Sequence, residues 1–440
     1  MLNPTKNKCQ VFLNQALKLK KIGCLILLGT ITGCTSLPYK KTKKDILLDF
    51  QSQKFRSQHT GLFILDLRTN DVLIDKNGSK YFTPASTTKL FTLYTALRLL
   101  QDTLPSLKYS LDGDRVYVMG TGDPTWHHPY FQNKGPIAFL KQFETIFLYL
   151  DSHQGGKFGP GWAWEDYPYY FSPEITEMPL NGNVVTVHPG DSINVFPKYF
   201  QDSIAFQNHK PLREWKENQF YVPEKSLDTL QIPYITSKAL TRELLSEAIE
   251  KNVVVLDSLP NTDWKVLPGI SRDSVLKQML WESDNFLAEQ LMLLASSTLS
   301  DTLDFKTAKE FIWEKYLSEI PNKPRWVDGS GLSRYNLFTP KSMVSLLQKL
   351  HHETDSSQLF SLMPQWNSEG TLDVDKRNAT PSFIYAKSGS MGNMYNLCGY
   401  LETKSGKLLA FSFMNNHFLR PSSEVRTDMY NILMALHHTY

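Results

Sequence analysis

Two short apolar stretches near residue 60 are followed by a longer one. Residues 61–67 and 72–75 are mainly apolar, and the polar residues between them have the composition of a hairpin turn. Pro84 then precedes a run from Ser86 to about Leu100 that is apolar nearly all round. Proline is common close to a helix start, and a helix without a polar face is expected to be buried. The pattern predicts a β-hairpin followed by a buried helix that begins at Ser86.

The C-terminal part of the chain holds a second set of predicted elements. An apolar stretch, 286–295, follows three polar residues and predicts a helix capped at its N-terminus. Three strand-like runs and one amphipathic stretch come after it: 383–386, 396–403, 408–414 and about 424–437. Lys404-Ser405-Gly406 separates the last two strand-like runs, and Ser-Gly there is typical of a hairpin turn.

The middle of the chain has a different character. Residues 101–264 are strand-like and rich in turns, and a chain of 440 residues suggests about three domains at ~150 residues each. We interpret this stretch as an inserted, mostly β region. Six clustered aromatic residues could stack on sugar rings, although packing in a core or between domains is the commoner role. They are Trp162, Trp164, Tyr167, Tyr169, Tyr170 and Phe171.

Three short polar motifs lie at the ends of predicted elements: Ser86-Thr87-Thr88-Lys89, Ser283-Asp284-Asn285 and Lys387-Ser388-Gly389. A serine in the opening turn of a helix lies near free N–H groups and the positive end of the helix dipole, which favour an oxyanion. Lys89 is one turn further on the same face. Burial of the helix would lower the lysine pKa and make a neutral amine available. Ser86 is therefore the candidate nucleophile and Lys89 the candidate base.

Each motif alone also has a simpler interpretation. Ser86 could be a helix cap and Lys89 a solvated side chain, and the second motif could be a plain helix cap. The third motif closes an apolar run, where a lysine, a hydroxyl and a glycine would let a substrate backbone approach and would bind its carboxylate. The order and the local structure fit at all three positions. Together the motifs predict a serine acyl-transfer site.

In this order the motifs match the S-x-x-K, S-D-N and K-T-G signature of penicillin-binding proteins and class A β-lactamases. The chain resembles the low-molecular-mass class C penicillin-binding proteins, which are D-alanyl-D-alanine carboxypeptidase/endopeptidases of bacterial cell walls. Four further segments resemble that family: 120–126, 161–166, 327–334 and 369–372. The resemblance extends from about residue 56 to 414. Ser388 replaces the usual threonine but keeps the hydroxyl, and the stretch before Ser283 is compact for this family.

The resemblance implies an α+β fold with a penicillin-binding/β-lactamase-like domain, an antiparallel sheet flanked by helices. Residues 56–100 and 265–440 would form this domain, and residues 101–264 would be inserted in it. The implied reaction is cleavage of the terminal D-Ala-D-Ala bond of peptidoglycan stem peptides through an acyl-enzyme on Ser86. D-alanyl–diaminopimelyl crosslinks are a second implied substrate. No cofactor is required, and β-lactam antibiotics would be covalent inhibitors.

The family pattern also implies a role for each motif residue. The backbone N–H groups of Ser86 and Ser390 would form the oxyanion hole, and Lys89 would accept the proton of Ser86. Ser283 would relay a proton to the leaving amine, and Asn285 would orient the substrate and Lys89. Lys387 and Ser388, beside Gly389, would bind the terminal carboxylate.

Two alternative functions remain at this point. A serine β-lactamase would add a deacylating glutamate, and residues 177–181 fit its E-x-x-L-N pattern. In class A enzymes that glutamate follows S-D-N, whereas Glu177 precedes Ser283 by about a hundred residues, so we interpret the match as coincidence. The other alternative is a non-catalytic wall-binding protein that retains the fold. The three intact motifs argue against it.

The N-terminus predicts the compartment. Five lysines and no acids precede a ten-residue apolar stretch, 22–31, which is too short to span a bilayer. Ile31-Thr32-Gly33-Cys34 then resembles a bacterial lipobox. This predicts a lipoprotein signal peptide over 1–34, a lipid on Cys34, a tether over 35–55, and a membrane-anchored protein of the cell envelope that faces the periplasm. An ordinary signal peptide with a chance cysteine is the alternative.

Cysteine, charge and histidine usage agree with these predictions. Of the four cysteines, two would be removed with the signal peptide and Cys34 would carry lipid, so Cys398 would be the one free thiol of the mature chain. No disulfide is therefore predicted. Processing would change the formal net charge from +3 to −2, and nothing indicates nucleic acid binding. His127 and His128 lie near Asp123, but no H-E-x-x-H motif occurs, so no metal site is predicted.

Overall fold

The computed structural model describes residues 43–131, 133–188, 194–223, 228–366, 370–372 and 383–440. All of them belong to one unit, Lys40–Tyr440. The predicted signal peptide and the lipidation residue Cys34 lie outside the described residues. Within the described part, no helix is both long enough and apolar enough to cross a membrane.

Strands and helices alternate along the described chain. The strands are β1 His59–Asp66, β2 Val72–Lys76, β3 Thr103–Asp112, β4 Arg115–Gly120, β5 Thr145–Tyr149, β6 Val184–His188, β7 Asn194–Phe196, β8 Ile204–Phe206, β9 Phe220–Val222, β10 Leu230–Pro233, β11 Asn252–Leu256, β12 Lys265–Ser271, β13 Ile384–Met391, β14 Met394–Glu402 and β15 Leu408–Asn416. The helices are α1 Lys43–Asp49, α2 Gln53–Arg56, α3 Lys89–Leu99, α4 Gly135–Leu140, α5 Lys238–Ile249, α6 Arg272–Trp281, α7 Asn285–Ser296, α8 Phe305–Ile312, α9 Pro340–Glu353, α10 Ser356–Leu362 and α11 Ser422–Thr439.

An antiparallel five-stranded sheet in the order β13-β14-β15-β1-β2 organises the first and last parts of the chain. Its strands are apolar on both faces because helices cover both. Along β1, Phe63 and Leu65 pack into the core that contains α3, α6, α7 and α9. Leu62 and Ile64 pack into the core that contains α1, α2 and α11. The predicted α+β fold and the hairpin at residue 60 are confirmed.

The inserted region forms sheets of its own. A mixed five-stranded sheet has the order β11-β5-β4-β3-β12, and α4 and α5 contribute to its core. A three-stranded antiparallel sheet has the order β10-β6-β7, and β8 pairs with β9. Strand β12 pairs with β3, so the inserted region extends to Ser271, seven residues beyond the predicted boundary at 264.

The segment predicted as a tether up to residue 55 is partly ordered on the sheet. Helices α1 and α2 begin at Lys43, and Ile46, Phe50 and Phe55 are buried in the core under α11. Their burial shows that this part of the predicted tether packs against the domain. The predicted turn at 404–406 joins β14 to β15, and Gly406 has the positive φ, +80°, that such a turn favours.

Candidate active site

The candidate nucleophile lies in a short, closely held turn. Ser86 belongs to a single 3₁₀ turn, Ala85–Thr88, that leads directly into α3, whereas the sequence predicted one continuous helix from Ser86. Ala85 has a φ of +49°, an uncommon conformation for a residue with a side chain. The Asn396 side chain on β14 donates hydrogen bonds of 2.9 Å to the carbonyls of Thr83 and Pro84. Sheet and helix therefore fix the position of Ser86 from both sides.

The Lys89 ammonium nitrogen contacts three oxygens. Its Nζ lies 3.0 Å from Ser86 Oγ, 2.6 Å from Asn285 Oδ1 and 2.9 Å from the Ser330 carbonyl. An ammonium group has three hydrogens to donate, so these contacts satisfy it completely. The expected contact between Ser86 and Lys89 is present, and Asn285 accepts a hydrogen bond from Lys89. The roles that the family resemblance implies for these residues stay predictions.

Burial sets the basicity of Lys89. The side chain is completely buried, which disfavours the charged form and lowers its pKa to about 8. Three carboxylates, of Asp284, Glu289 and Asp328, act in the opposite direction. At neutral pH a useful fraction of Lys89 is therefore the neutral amine that can take a proton from serine.

The second motif lies at the start of α7. Asp284 is the N-cap residue, and its carboxylate accepts a hydrogen bond of 2.9 Å from the Leu287 N–H. Asn285 is the first residue of the helix, and its Nδ2 donates to the Phe171 carbonyl at 2.9 Å. Ser283 lines the same cleft as Ser86 and has a φ of +57°. Asp284 therefore caps the helix, and Ser283 and Asn285 also line the cleft.

The third motif lies on β13, at the edge of the sheet. Lys387 is completely buried, and its Nζ donates to the Ser388 carbonyl at 2.9 Å. Burial lowers the Lys387 pKa well below its usual value, and the charge of Lys89 lowers it further. Ser388 and Ser390 line the cleft. The two hydroxyls are accessible to a ligand, whereas the lysine lies beneath them.

Gly389 lies close to the backbone of the nucleophile turn. A Cβ atom there would lie 2.5 Å from the Pro84 carbonyl oxygen and 2.9 Å from the backbone nitrogens of Ser86 and Thr87. Such distances are not found for real Cβ atoms. The glycine therefore allows β13 to lie against the backbone of the nucleophile turn, and its predicted part in substrate binding stays a prediction.

The sequence motifs missed several residues that support the site. Glu289 accepts hydrogen bonds from the backbone N–H groups of Gly329 and Ser330 at 2.9 and 2.7 Å. These bonds fix the Ser330 carbonyl that accepts from Lys89. Thr371 lies in the segment 369–372, which was noted only as a family likeness, and its hydroxyl is 3.0 Å from Ser388 Oγ. One signal was available for Glu289: it is an acid within an otherwise apolar helix.

One cleft of about 1400 Å³ contains the accessible parts of all three motifs. Ser86, Ser283, Asn285, Ser388 and Ser390 line one part of it. The cleft continues to the three-stranded sheet of the inserted region. Catalytic domain and inserted region thus share one binding space.

His127 and His128 line the cleft, whereas several other residues singled out in the sequence lie outside it. Glu177 is not among the residues that line the cleft, and burial raises its pKa. Asp123 is buried and bonded to the hydroxyls of Ser106 and Thr125, while the His128 ring packs near Phe131. Among the residues the structure describes, no three His, Cys, Asp or Glu side chains form a metal-binding group. Cys398 is a buried free cysteine on β14, as predicted.

The aromatic cluster has mixed surroundings. Trp162 donates its indole N–H to the Asp328 carboxylate at 2.9 Å, and Tyr167 donates to Glu174 at 2.6 Å. Phe171 contributes the carbonyl that holds Asn285. Trp162 and Phe171 therefore contact the catalytic domain, which is the commoner role, whereas Tyr167 bonds within the inserted region. Trp164, Tyr169 and Tyr170 are exposed, and Tyr170 and Phe171 line the cleft.

A solved structure of penicillin binding protein 4 from Haemophilus influenzae has the same fold, with a TM-score of 0.69 at 20% identity, covering 89% of this chain and 99% of that one. A second structure of that protein, complexed with a β-lactam, gives a TM-score of 0.63 at 20% identity, with coverage of 88% and 99%. The fold is the penicillin-binding/β-lactamase-like one with an extra domain.

Sequence comparison identifies the family. The model of the D-Ala-D-Ala carboxypeptidase 3 (S13) family matches residues 44–210 and 236–436. The D-alanyl-D-alanine carboxypeptidase DacB of Haemophilus influenzae is 27% identical over 417 residues, covering 82% of this chain and 86% of that protein. A D-alanyl-D-alanine carboxypeptidase of Actinomadura sp. strain R39 is 22% identical over 464 residues, covering 89% and 84%. The chain belongs to the S13 family and is a serine-type carboxypeptidase.

Proposed function

We propose that this chain cleaves D-Ala-D-Ala ends of peptidoglycan stem peptides through an acyl-enzyme on Ser86. The observation that carries the proposal is the contact of Lys89 Nζ with both Ser86 Oγ and Asn285 Oδ1. Neutral Lys89 accepts the Ser86 proton while Oγ forms a bond to the carbonyl carbon of the penultimate D-alanine. The backbone N–H groups of Ser86 and Ser390 hold the developing oxyanion.

Collapse of the tetrahedral intermediate breaks the C–N bond and releases D-alanine. The proton held by Lys89 passes through the Ser283 hydroxyl to the leaving amine. Water then attacks the acyl-enzyme, with Lys89 and Ser283 as proton acceptors, and Ser86 recovers its proton. No cofactor takes part in these steps.

The terminal carboxylate of the substrate binds to the hydroxyls of Ser388 and Ser390. Thr371 orients the Ser388 hydroxyl at 3.0 Å. Lys387 is completely buried and donates to the Ser388 carbonyl at 2.9 Å, so it supports the strand that presents the two serines to the carboxylate. Direct contact of Lys387 with the carboxylate, as the family pattern implies, stays a prediction. A D-alanyl–diaminopimelyl crosslink offers the same acyl group, so the site also suits endopeptidase cleavage.

β-lactam antibiotics are proposed as covalent inhibitors that acylate the same serine. Mass spectrometry after incubation with benzylpenicillin should find one adduct, on Ser86. Ser86→Ala should abolish both the adduct and D-alanine release from a pentapeptide, while Ser405→Ala in the distant hairpin turn should retain both. An adduct on the Ser86→Ala protein at the wild-type rate would refute the assignment.

The β-lactamase alternative is tested on the same adduct. Because Glu177 does not line the cleft, Glu177→Gln should change the deacylation rate by less than about threefold. A fall of about a hundredfold, with adduct accumulating, would show that a glutamate activates the deacylating water and would favour a β-lactamase.

We also propose that the protein is a lipoprotein anchored through Cys34 in the cell envelope and facing the periplasm. The support is the lipobox-like 31–34 and the short apolar stretch before it. More than one acyl chain gives stable membrane attachment, because each buried CH₂ contributes ~0.8 kcal/mol. Wild-type protein should label with palmitate and sediment with membranes, and Cys34→Ser should do neither. Recovery of unlabelled, soluble wild-type protein would support the ordinary signal peptide.

A further inference from the structure

The three-stranded sheet of the inserted region has two faces of opposite character. On one face Val185, Val187, Val195 and Ile232 are buried in the core of the inserted region. The residues that alternate with them along β10, β6 and β7 line the cleft shared with Ser86. These cleft-lining residues, called the sheet face below, are Thr186, His188, Asn194, Phe196, Thr229 and Gln231.

The sheet face consists of two rows across the strands. Thr186 on the central strand pairs with Gln231 on one side and Phe196 on the other. In the second row His188 pairs with Asn194. Strands lie about 4.8 Å apart, and alternate residues along a strand lie about 6.7 Å apart, so the two rows cover roughly 10 by 7 Å. This area is of the order of a sugar ring with its substituents.

The chemistry of the sheet face suits an uncharged polar ligand. None of its six side chains is an acid, a lysine or an arginine. The amides of Asn194 and Gln231 and the hydroxyl of Thr229 both donate and accept hydrogen bonds. Beside them Phe196 is 38% exposed, with an apolar ring surface on which a ligand can stack.

Thr186 supplies a second, independent observation. Its side chain is only 3% exposed, and its hydroxyl has no hydrogen-bond partner among the described residues. A buried hydroxyl without a partner is unfavourable, and such groups in native proteins usually have one. A ligand hydroxyl or amide bound in the cleft would provide it.

We propose that the sheet face binds the glycan strand that carries the stem peptide, an uncharged chain of N-acetylated sugars. Sugar hydroxyl and N-acetyl groups bond to the amides and hydroxyls, and a sugar ring stacks on Phe196. The cleft of about 1400 Å³ is larger than the ~300–1,000 Å³ of sites for small ligands. It runs from Ser86 to the sheet face, so peptide and sugar are bound together. This inference rests on the proposed function, because the glycan is attached to the peptide that Ser86 cleaves.

A substrate comparison tests the proposal. Two substrates are compared: a free pentapeptide, and the same pentapeptide attached to a disaccharide. The kcat/KM for each is measured with wild-type protein and with the variants Phe196→Leu and Gln231→Ala. We expect each variant to lower kcat/KM for the disaccharide substrate about tenfold, which corresponds to the loss of one good contact. The kcat/KM for the free peptide should change by less than about twofold. Tyr199→Ala, an exposed aromatic of the inserted region that does not line the cleft, is the matched control.

Equal effects on both substrates, or no effect on either, would overturn the proposal. Unchanged acylation by benzylpenicillin shows that each variant is folded and that the catalytic residues are in place. Both substituted side chains are exposed, so neither change is expected to disturb the core.

Direct binding separates this inference from the proposed function. Full-length Ser86→Ala protein is titrated calorimetrically with an uncharged oligomer of β-1,4-linked N-acetylglucosamine. We expect saturable binding that the added Phe196→Leu and Gln231→Ala changes abolish and that free stem peptide does not compete away. Absent binding, or competition by the free peptide, would refute the glycan assignment even if the wild-type protein releases D-alanine. Binding without D-alanine release by wild-type protein would refute the proposed function alone.

Discussion

Lys89 and Lys387 are two completely buried lysines within one site. Burial is the largest cause of the lowered pKa of both, and the charge of Lys89 lowers the pKa of Lys387 further. Only Lys89 has neighbouring carboxylates that partly restore its pKa. The two lysines therefore differ in their surroundings: neighbouring carboxylates favour the charged form of Lys89, whereas burial and the charge of Lys89 disfavour that of Lys387.

The lowered pKa of Lys89 predicts the pH dependence of acylation. Only the neutral amine can accept the Ser86 proton, and the pKa of Lys89 is about 8. The second-order rate of benzylpenicillin acylation should therefore rise as pH increases through about 8 and level off above it. Stopped-flow rates between about pH 6 and 10 would measure this. A rate independent of pH over that range would mean that Lys89 is not the base.

Gly389 gives a steric prediction. An alanine Cβ at this position would collide with the Pro84 carbonyl and the Ser86 backbone nitrogen, both of which are backbone atoms that cannot rotate away. Gly389→Ala should therefore displace the nucleophile turn and lower the acylation rate by about a hundredfold or more, as positioning errors of about 1 Å do. Gly392→Ala in the same hairpin, where a Cβ meets no atom within 4 Å, is the control. Similar rates for both variants would contradict the close contact.

The sequence predicts residues of the site only where the interacting residues lie close together along the chain. Ser86 and Lys89 are three positions apart on one chain segment, and the structure joins them at 3.0 Å. Glu289, Thr371 and Asn396 act by reaching a different element, which a single sequence does not show. Their partners are set by the packing of α7 and of the strands, so only the structure reveals them.

At the scale of elements, long apolar patterns gave correct predictions and short irregular ones did not. The helix at 86–100 and the strands β14 and β15 were expected from their sequences and are present. Strand β12 was missed because Pro268 and Gly269, which are unfavourable in strands, interrupt its pattern. Its pairing with β3 also has two irregularities, at Leu267 and at Pro268.

The cap of α7 links helix stability to catalysis. Asp284→Ala removes the hydrogen bond to the Leu287 N–H and should lower the free energy of unfolding by about 1 kcal/mol. It should also lower the acylation rate, because Asn285, the next residue, holds Lys89. Chemical denaturation and penicillin labelling would measure the two effects.

Asp355→Ala is the matched control for this cap. Asp355 caps α10 by accepting from the Gln358 N–H at 3.1 Å, and it does not line the cleft. A comparable loss of stability is expected with no change in acylation. If Asp284→Ala and Asp355→Ala had equal acylation rates, the cap of α7 would have only a structural role.

At the scale of the whole molecule, the inserted region takes part in the site directly. The Phe171 carbonyl accepts from Asn285, and the Trp162 indole donates to Asp328, both at 2.9 Å. Asp328 in turn accepts from the Gly331 N–H at 2.8 Å, in the loop whose Ser330 carbonyl contacts Lys89. The inserted region therefore contacts the residues around Lys89 directly, which the sequence did not show.

The N-terminal helices give the last prediction. Ile46, Phe50 and Phe55 are buried in the core under α11, and burial of such a side chain contributes about 1.5–3 kcal/mol. A chain that begins at Gln58 should melt several degrees below one that begins at Lys43, as followed by circular dichroism. Both should acylate with benzylpenicillin at the same rate at 25 °C, because no residue of α1 or α2 lines the cleft. Equal melting temperatures would mean that the helices add nothing to stability and that the tether extends to residue 55, as the sequence predicted.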